Sequence, residues 1–176
     1  MKATKKTNVW PLDIYKIFKQ VGIKQVAYVP DAGHTQLIKS CDSDKAIKAI
    51  SLTSEEEGVA MLAGTWLGGA RGALLMQSSG VGNCINLLSI MQECRFPLLM
   101  LVTMRGEWGE FNPWQLPMGQ STARVLESAG VIVQRVDDAA HIGETVFAAS
   151  QLTFSSYRPV AVLIAQRVIG FKDWSK

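Results

Sequence analysis

Cysteine is scarce in this chain: Cys41, Cys84 and Cys94 are the only three in 176 residues, and they form no C-x-x-C pair. An odd number at such spacing argues against a disulfide framework or a zinc site and predicts reduced, buried thiols in a cytoplasmic protein. Long apolar runs are missing too, since none approaches the roughly 18 residues that cross a membrane. The opening MKATKKTNVWPLD has the charges of a secretion signal without its apolar stretch. A soluble, unexported protein is therefore expected, with residues 1–8 as a flexible N-terminus. The net charge of +3 leans on Lys2, Lys5 and Lys6, and no Lys/Arg stripe or basic run interleaved with aromatics occurs elsewhere. Nucleic acid is not an expected partner. Internal repeats, low-complexity tracts and a linker of Pro, Gly or Ser are also lacking, which leaves one domain over residues 1–176.

What is present is an apolar content of 48%, enough for a sizeable core. Short apolar patches alternate with helical periodicity, the mark of βαβ units. The expected fold is α/β, a six-stranded mainly parallel sheet with helices on both faces. Strands are predicted at Val26–Val29, Ile47–Leu52, Ala73–Met76, Leu98–Thr103, Val131–Val136 and Val160–Ile164. Helices are predicted at Pro11–Val21, Thr35–Ser40, Ser54–Gly68, Asn83–Glu93, Ser121–Ala129 and Ala139–Thr153. Met104–Gln120 reads as one long irregular loop whose Trp108 and Trp114 either cover a site or meet another subunit. Ligands of such sheets collect at the carboxyl ends of the strands, where PDAGH, TSEEE, QSSGVGN and MRGEWGE fall.

Two of these segments invite a chemical reading. In Ser54-Glu55-Glu56-Glu57, Ser followed three residues later by Glu is a capping box, and first-turn carboxylates favour the positive end of the helix dipole. That accounts for Glu57. At about 100° per residue, however, Val59, Leu62, Ala63 and Trp66 define an inward face, and Glu55 falls within roughly 30° of its centre. A carboxylate aimed into an apolar rim needs a partner or a task. The glycines of QSSGVGN fit a tight turn or an anion nest. As a dinucleotide fingerprint the segment fails, because Ile85 stands where Gly or Ala is required, and no Gly-Lys-Ser/Thr follows to make a P-loop.

Taken in order, VPDAG, the Glu at the start of a helix with AG closing that motif, MQSSGVGN, and MRG with QLPMGQ resemble the pyrimidine-binding (Pyr) domain of thiamine diphosphate enzymes. The resemblance runs from about Val26 to Gly130 and is strongest to the sulfopyruvate and phosphonopyruvate decarboxylase group. QLPMGQST looks most like the separate alpha subunit found there. The resemblance implies that Glu55 is catalytic and contacts the ring nitrogen of the cofactor's aminopyrimidine, holding a proton for it. It also implies that Gln77, Gly80, Gly82 and Asn83 line the cofactor, and that Asp31, His34 and Arg105 lie near the substrate mouth. Ala32 departs from the VPDS of that group, removing a hydroxyl there. Bland alternatives stay open: an exposed turn Asp, a helix-start His, and a loop arginine paired with Glu107 or Glu110. His141 reads as a surface residue.

The family anchors diphosphate through Mg2+ held by a Gly-Asp-Gly motif with a downstream Asn, and this chain contains no Gly-Asp pair. The resemblance thus implies a hetero-oligomer whose beta subunit carries that motif, metal and diphosphate being held mainly there. The expected activity is decarboxylation of a small anionic 2-oxo acid. Phosphonopyruvate decarboxylation, acetolactate-type carboligation and a non-catalytic ligand-binding or interaction module with the same fold are the other readings. Ala60, Gly64 and Gly68 make a smooth strip suited to a partner helix or to tight packing inside the domain.

Overall fold

Proline and glycine punctuate the first unit. Pro11 opens a helix where its missing N–H costs nothing, and α1 (Trp10–Gln20) ends before Gly22, whose φ of +75° turns the chain. The remaining elements follow in order: β1 (Ile23–Tyr28), α2 (Thr35–Asp42), β2 (Lys48–Ser51), α3 (Glu55–Leu67), β3 (Arg71–Gln77), α4 (Ser78–Cys84) and α5 (Leu88–Glu93). Then come β4 (Leu98–Thr103), α6 (Leu116–Ser128), β5 (Ile132–Val136), α7 (Ile142–Ser156), β6 (Pro159–Ile164) and α8 (Gln166–Ile169). This computed structural model describes residues 9–170 of the chain, so the flexibility expected of residues 1–8 lies outside the described residues.

The six strands form one wholly parallel sheet in the order β2-β1-β3-β4-β6-β5. Central strands are apolar on both sides because both sides are covered. Leu99 and Leu101 of β4 pack with Ile14, Phe18 and Val146 of α1 and α7. Leu98, Met100 and Val102 of the same strand pack with Val59, Leu88 and Leu126 of α3, α5 and α6. Each such fully buried Leu or Met contributes about 1.5–3 kcal/mol. No helix among the described residues is long and apolar enough to cross a membrane.

Three expectations are corrected. QSSGVGN is no turn: α4 starts directly after β3, and α5 is a separate helix, where one helix over Asn83–Glu93 was expected. Glycine disfavours helix, so packing outweighs propensity there. A Cβ at Gly80 would overlap the Glu55 carboxyl, and one at Gly82 would press on Met118 Sδ at 3.4 Å. The loop after β4 is also shorter than predicted, because Pro113–Gln115 form a 3-10 turn and α6 begins at Leu116, with Pro117 in its first turn. Finally, Cys94 is exposed while Cys41 and Cys84 are buried, and all three are free.

Candidate active site

Glu55 begins α3 and is 7% exposed, turned in beside Val59 and Leu62 as the helical face predicts. Glu57 is exposed and serves the helix end, accepting from the Thr53 N–H at 3.0 Å. The predicted Ser54 cap does not form: its hydroxyl donates to Glu56 at 2.5 Å. Asn83 Nδ2 donates to Glu55 Oε2 at 2.8 Å, tying α3 to α4. Oε1 accepts no hydrogen bond among the described residues and faces Gly80, where only hydrogen leaves room for it. Behind the pair, burial pushes the Cys84 thiol up to about 12, with Glu55 and Glu56 adding to the effect, so the thiol stays protonated.

A second cluster lies where β1, β3 and β4 end. The Asp31 carboxylate accepts from Gln77 Nε2 at 3.1 Å and from Thr103 Oγ1 at 2.5 Å. Gly33 presses on Thr103, since a Cβ there would come 2.7 Å from its methyl group. These residues, with Arg105, Phe111, Gln166 and Gly170, line a cavity of about 170 Å³. Gln77 thus belongs to the Asp31 cluster, whereas Glu55, Gly80 and Asn83 form the other.

Arg105 is not a free cation. Its Nε and Nη2 donate to Glu110 at 2.7 and 2.6 Å, the loop pairing left open by the sequence. Glu110 also accepts from the N–H groups of Gly106 and Asn112 and from Gln166 Nε2, each at 3.0–3.1 Å. The arginine and these donors hold its carboxyl down at about 2. Arg105 keeps Nη1 without a protein partner among the described residues. Gly119 lets α6 close on this loop, because a Cβ there would overlap the Arg105 carbonyl oxygen.

Sequence reasoning missed Thr103 and Gln166, and named Glu110 only as one of two possible partners of Arg105. Gln166 is 1% exposed, and its Oε1 accepts the N–H groups of Glu107 and Trp108 at 2.9 and 3.0 Å, pinning the β4 loop to α8. A polar residue directly after the apolar run of β6 was the available signal. His34, placed at the substrate mouth by resemblance, is fully buried, with Nε2 3.1 Å from the Leu101 carbonyl and Nδ1 unpartnered. Burial lowers its pKa. His141 is exposed, as expected. The small-residue strip faces outward, with open space around Gly64, so it does not pack within the described domain. No cluster of three or more potential metal ligands occurs among the described residues.

No protein-family model matches this chain. The sulfopyruvate decarboxylase subunit alpha of Methanococcus maripaludis is 35% identical over 154 residues, 86% of this chain and 91% of that one. The same subunit of Methanothermobacter thermautotrophicus is 32% identical over 86% of this chain. Phosphonopyruvate decarboxylase of Streptomyces viridochromogenes is 34% identical over 85% of this chain, which spans only 38% of that longer protein. In fold, the chain superposes with a TM-score of 0.75 on a 2-oxoglutarate:ferredoxin oxidoreductase of Magnetococcus marinus. That protein is 15% identical, and the match takes in 91% of this chain and 29% of that one. With the ordered motifs, the parallel sheet and identity over nearly the full length of those subunits, the chain belongs to the family of sulfopyruvate decarboxylase alpha subunits.

Proposed function

We propose that this chain is the alpha subunit of a cytoplasmic, hetero-oligomeric, thiamine diphosphate-dependent decarboxylase of a small anionic 2-oxo acid, with sulfopyruvate the first choice. The observation that carries the reading is the Glu55 carboxyl: buried, held through one oxygen by Asn83, and facing glycine with the other. A carboxyl with an unclaimed oxygen against a glycine is a fit for the ring nitrogen of an aminopyrimidine. Glu55 would hold and return a proton at Oε1, Asn83 would fix the orientation, and Gly80 and Gly82 would leave the space open. When bound, the cofactor supplies the electron sink that loss of carbon dioxide requires.

Asp31, with Gln77 and Thr103, and Arg105 through Nη1 would meet the substrate in the neighbouring cavity. His34 supports that wall from behind, since its ring is sealed from solvent. With no Gly-Asp pair in this chain, Mg2+ and the diphosphate would be held mainly by a beta subunit carrying Gly-Asp-Gly. The phosphonopyruvate decarboxylase relative supports phosphonopyruvate as the second substrate choice.

Mixing tests the reading. The purified chain and a beta subunit should together decarboxylate sulfopyruvate, dependent on thiamine diphosphate and magnesium. In the assembled complex Glu55→Gln should lower turnover by about 10²-fold or more, because the carboxamide cannot carry the proton. Unchanged turnover in that variant, or full activity from the chain alone, would defeat it.

A further inference from the structure

Among the described residues, the cavity between Asp31 and Arg105 sets two carboxylates, Asp31 and Glu110, against the Arg105 guanidinium. Asp31 enters from the end of β1 with both oxygens already accepting, from Gln77 and Thr103. Arg105 lines the opposite wall, and Glu110, whose side chain is 2% exposed, grips the guanidinium by two hydrogen bonds. Of the other charged groups described nearby, Lys39 lines a second pocket with Asp31. Glu107 and Asp137 share Arg135 at a half-exposed edge, and Arg167 stands over the Trp108 ring at 5.2 Å. His34, behind Asp31, is kept toward its neutral form by burial.

Among the described residues, an anionic group entering this cavity therefore meets Nη1 as a hydrogen-bond donor with two carboxylates, Asp31 and Glu110, set against that one guanidinium. Sulfonates and phosphonates share three tetrahedral oxygens and differ in charge. A sulfonate carries one negative charge throughout the physiological range, whereas a phosphonate takes on a second near neutrality. We propose that Glu110 is a specificity-determining residue: by neutralising Arg105 it fits this cavity to a singly charged sulfonate tail and against a doubly charged phosphonate. The inference rests on the assignment of Arg105 to the substrate tail. Glu110 acts through Arg105 and does not itself line the cavity.

The test compares kcat/KM for sulfopyruvate and phosphonopyruvate in the assembled complex across the second ionisation of the phosphonate. Preference for the sulfonate should grow as pH rises. Glu110→Gln removes a negative charge from behind Arg105, and Asp31→Asn removes one from the opposite wall. Both should shrink that preference about tenfold at the alkaline end and flatten its pH dependence. Damage to packing would lower both substrates together, so an unchanged ratio in Glu110→Gln overturns the inference. Binding of ethanesulfonate and ethylphosphonate, measured by calorimetry, separates it from the decarboxylase reading. Preferential binding of the sulfonate without decarboxylation sinks the enzyme reading alone, and decarboxylation with equal binding of the two tails sinks the inference alone.

Discussion

Glu55 and Glu110 are two nearly buried carboxyls at the same edge of the sheet, and their surroundings could hardly differ more. Glu110 is saturated: Arg105, two backbone N–H groups and the Gln166 amide occupy both oxygens. Glu55 has one amide donor and an oxygen facing glycine. A group fully claimed by donors is held as an anion, and these donors bring the Glu110 carboxyl down to about 2. A group left partly unclaimed in a dry place retains capacity to exchange a proton with a ligand. Both lie in acidic, Gly-containing segments, so only the groups around them separate them.

The comparison breaks most sharply at Gly80. Gly80→Ala should drive the Glu55 side chain out of place, because the new methyl group would occupy the position of its carboxyl. Turnover of the assembled complex should fall by about 10²-fold or more. Circular dichroism should show the fold retained. Wild-type turnover would show that activity does not depend on the Glu55 carboxyl at this position.

Glu110→Ala should instead act on stability. It strands the Arg105 guanidinium and three further donors, and should cost about 3–5 kcal/mol in denaturant unfolding. A loss below about 1 kcal/mol would show that water replaces the carboxylate. The same group sets an acid limb. Its folded pKa lies below the ordinary 4.5, so its contribution is complete above about 4.5 and is lost as pH falls through about 2. Glu110→Gln should flatten stability in that window.

The smallest effect comes from His34, whose folded pKa is lowered by burial below the ordinary 6.5. Below that value the unfolded chain binds more protons at this residue than the folded one, so stability declines as pH falls. His34→Gln should remove this milder decline while leaving the limb due to Glu110 in place. Identical profiles down to pH 4.5 would show that His34 does not titrate on unfolding.

The α/β class, the sheet and the inward turn of Glu55 were legible because they rest on local periodicity. Alternating apolar patches predicted the six strands that the sheet contains, and the 100° spacing of Val59, Leu62 and Ala63 picked the inward acid from its two neighbours. The helical state of Ser78–Cys84 was not legible, since Gly80 and Gly82 argue locally for a turn. Only the need to admit Glu55 and Met118 explains glycine inside that helix. Nor could the chain order tell that Gln77 would join Asp31, 46 residues away, while Asn83 joined Glu55, or that Arg105 would choose Glu110 over Glu107.

By itself, then, the sequence determined which segments are strands and helices, which residues reach the carboxyl edge, and which family the motifs resemble. Hydrophobic periodicity and spacing act over a few residues and survive in one dimension. Tertiary structure alone decided which acid is saturated and which is left with a free oxygen. Hydrogen-bond capacity is shared out among groups brought together from distant segments, and that sharing exists only once the sheet has placed their ends side by side.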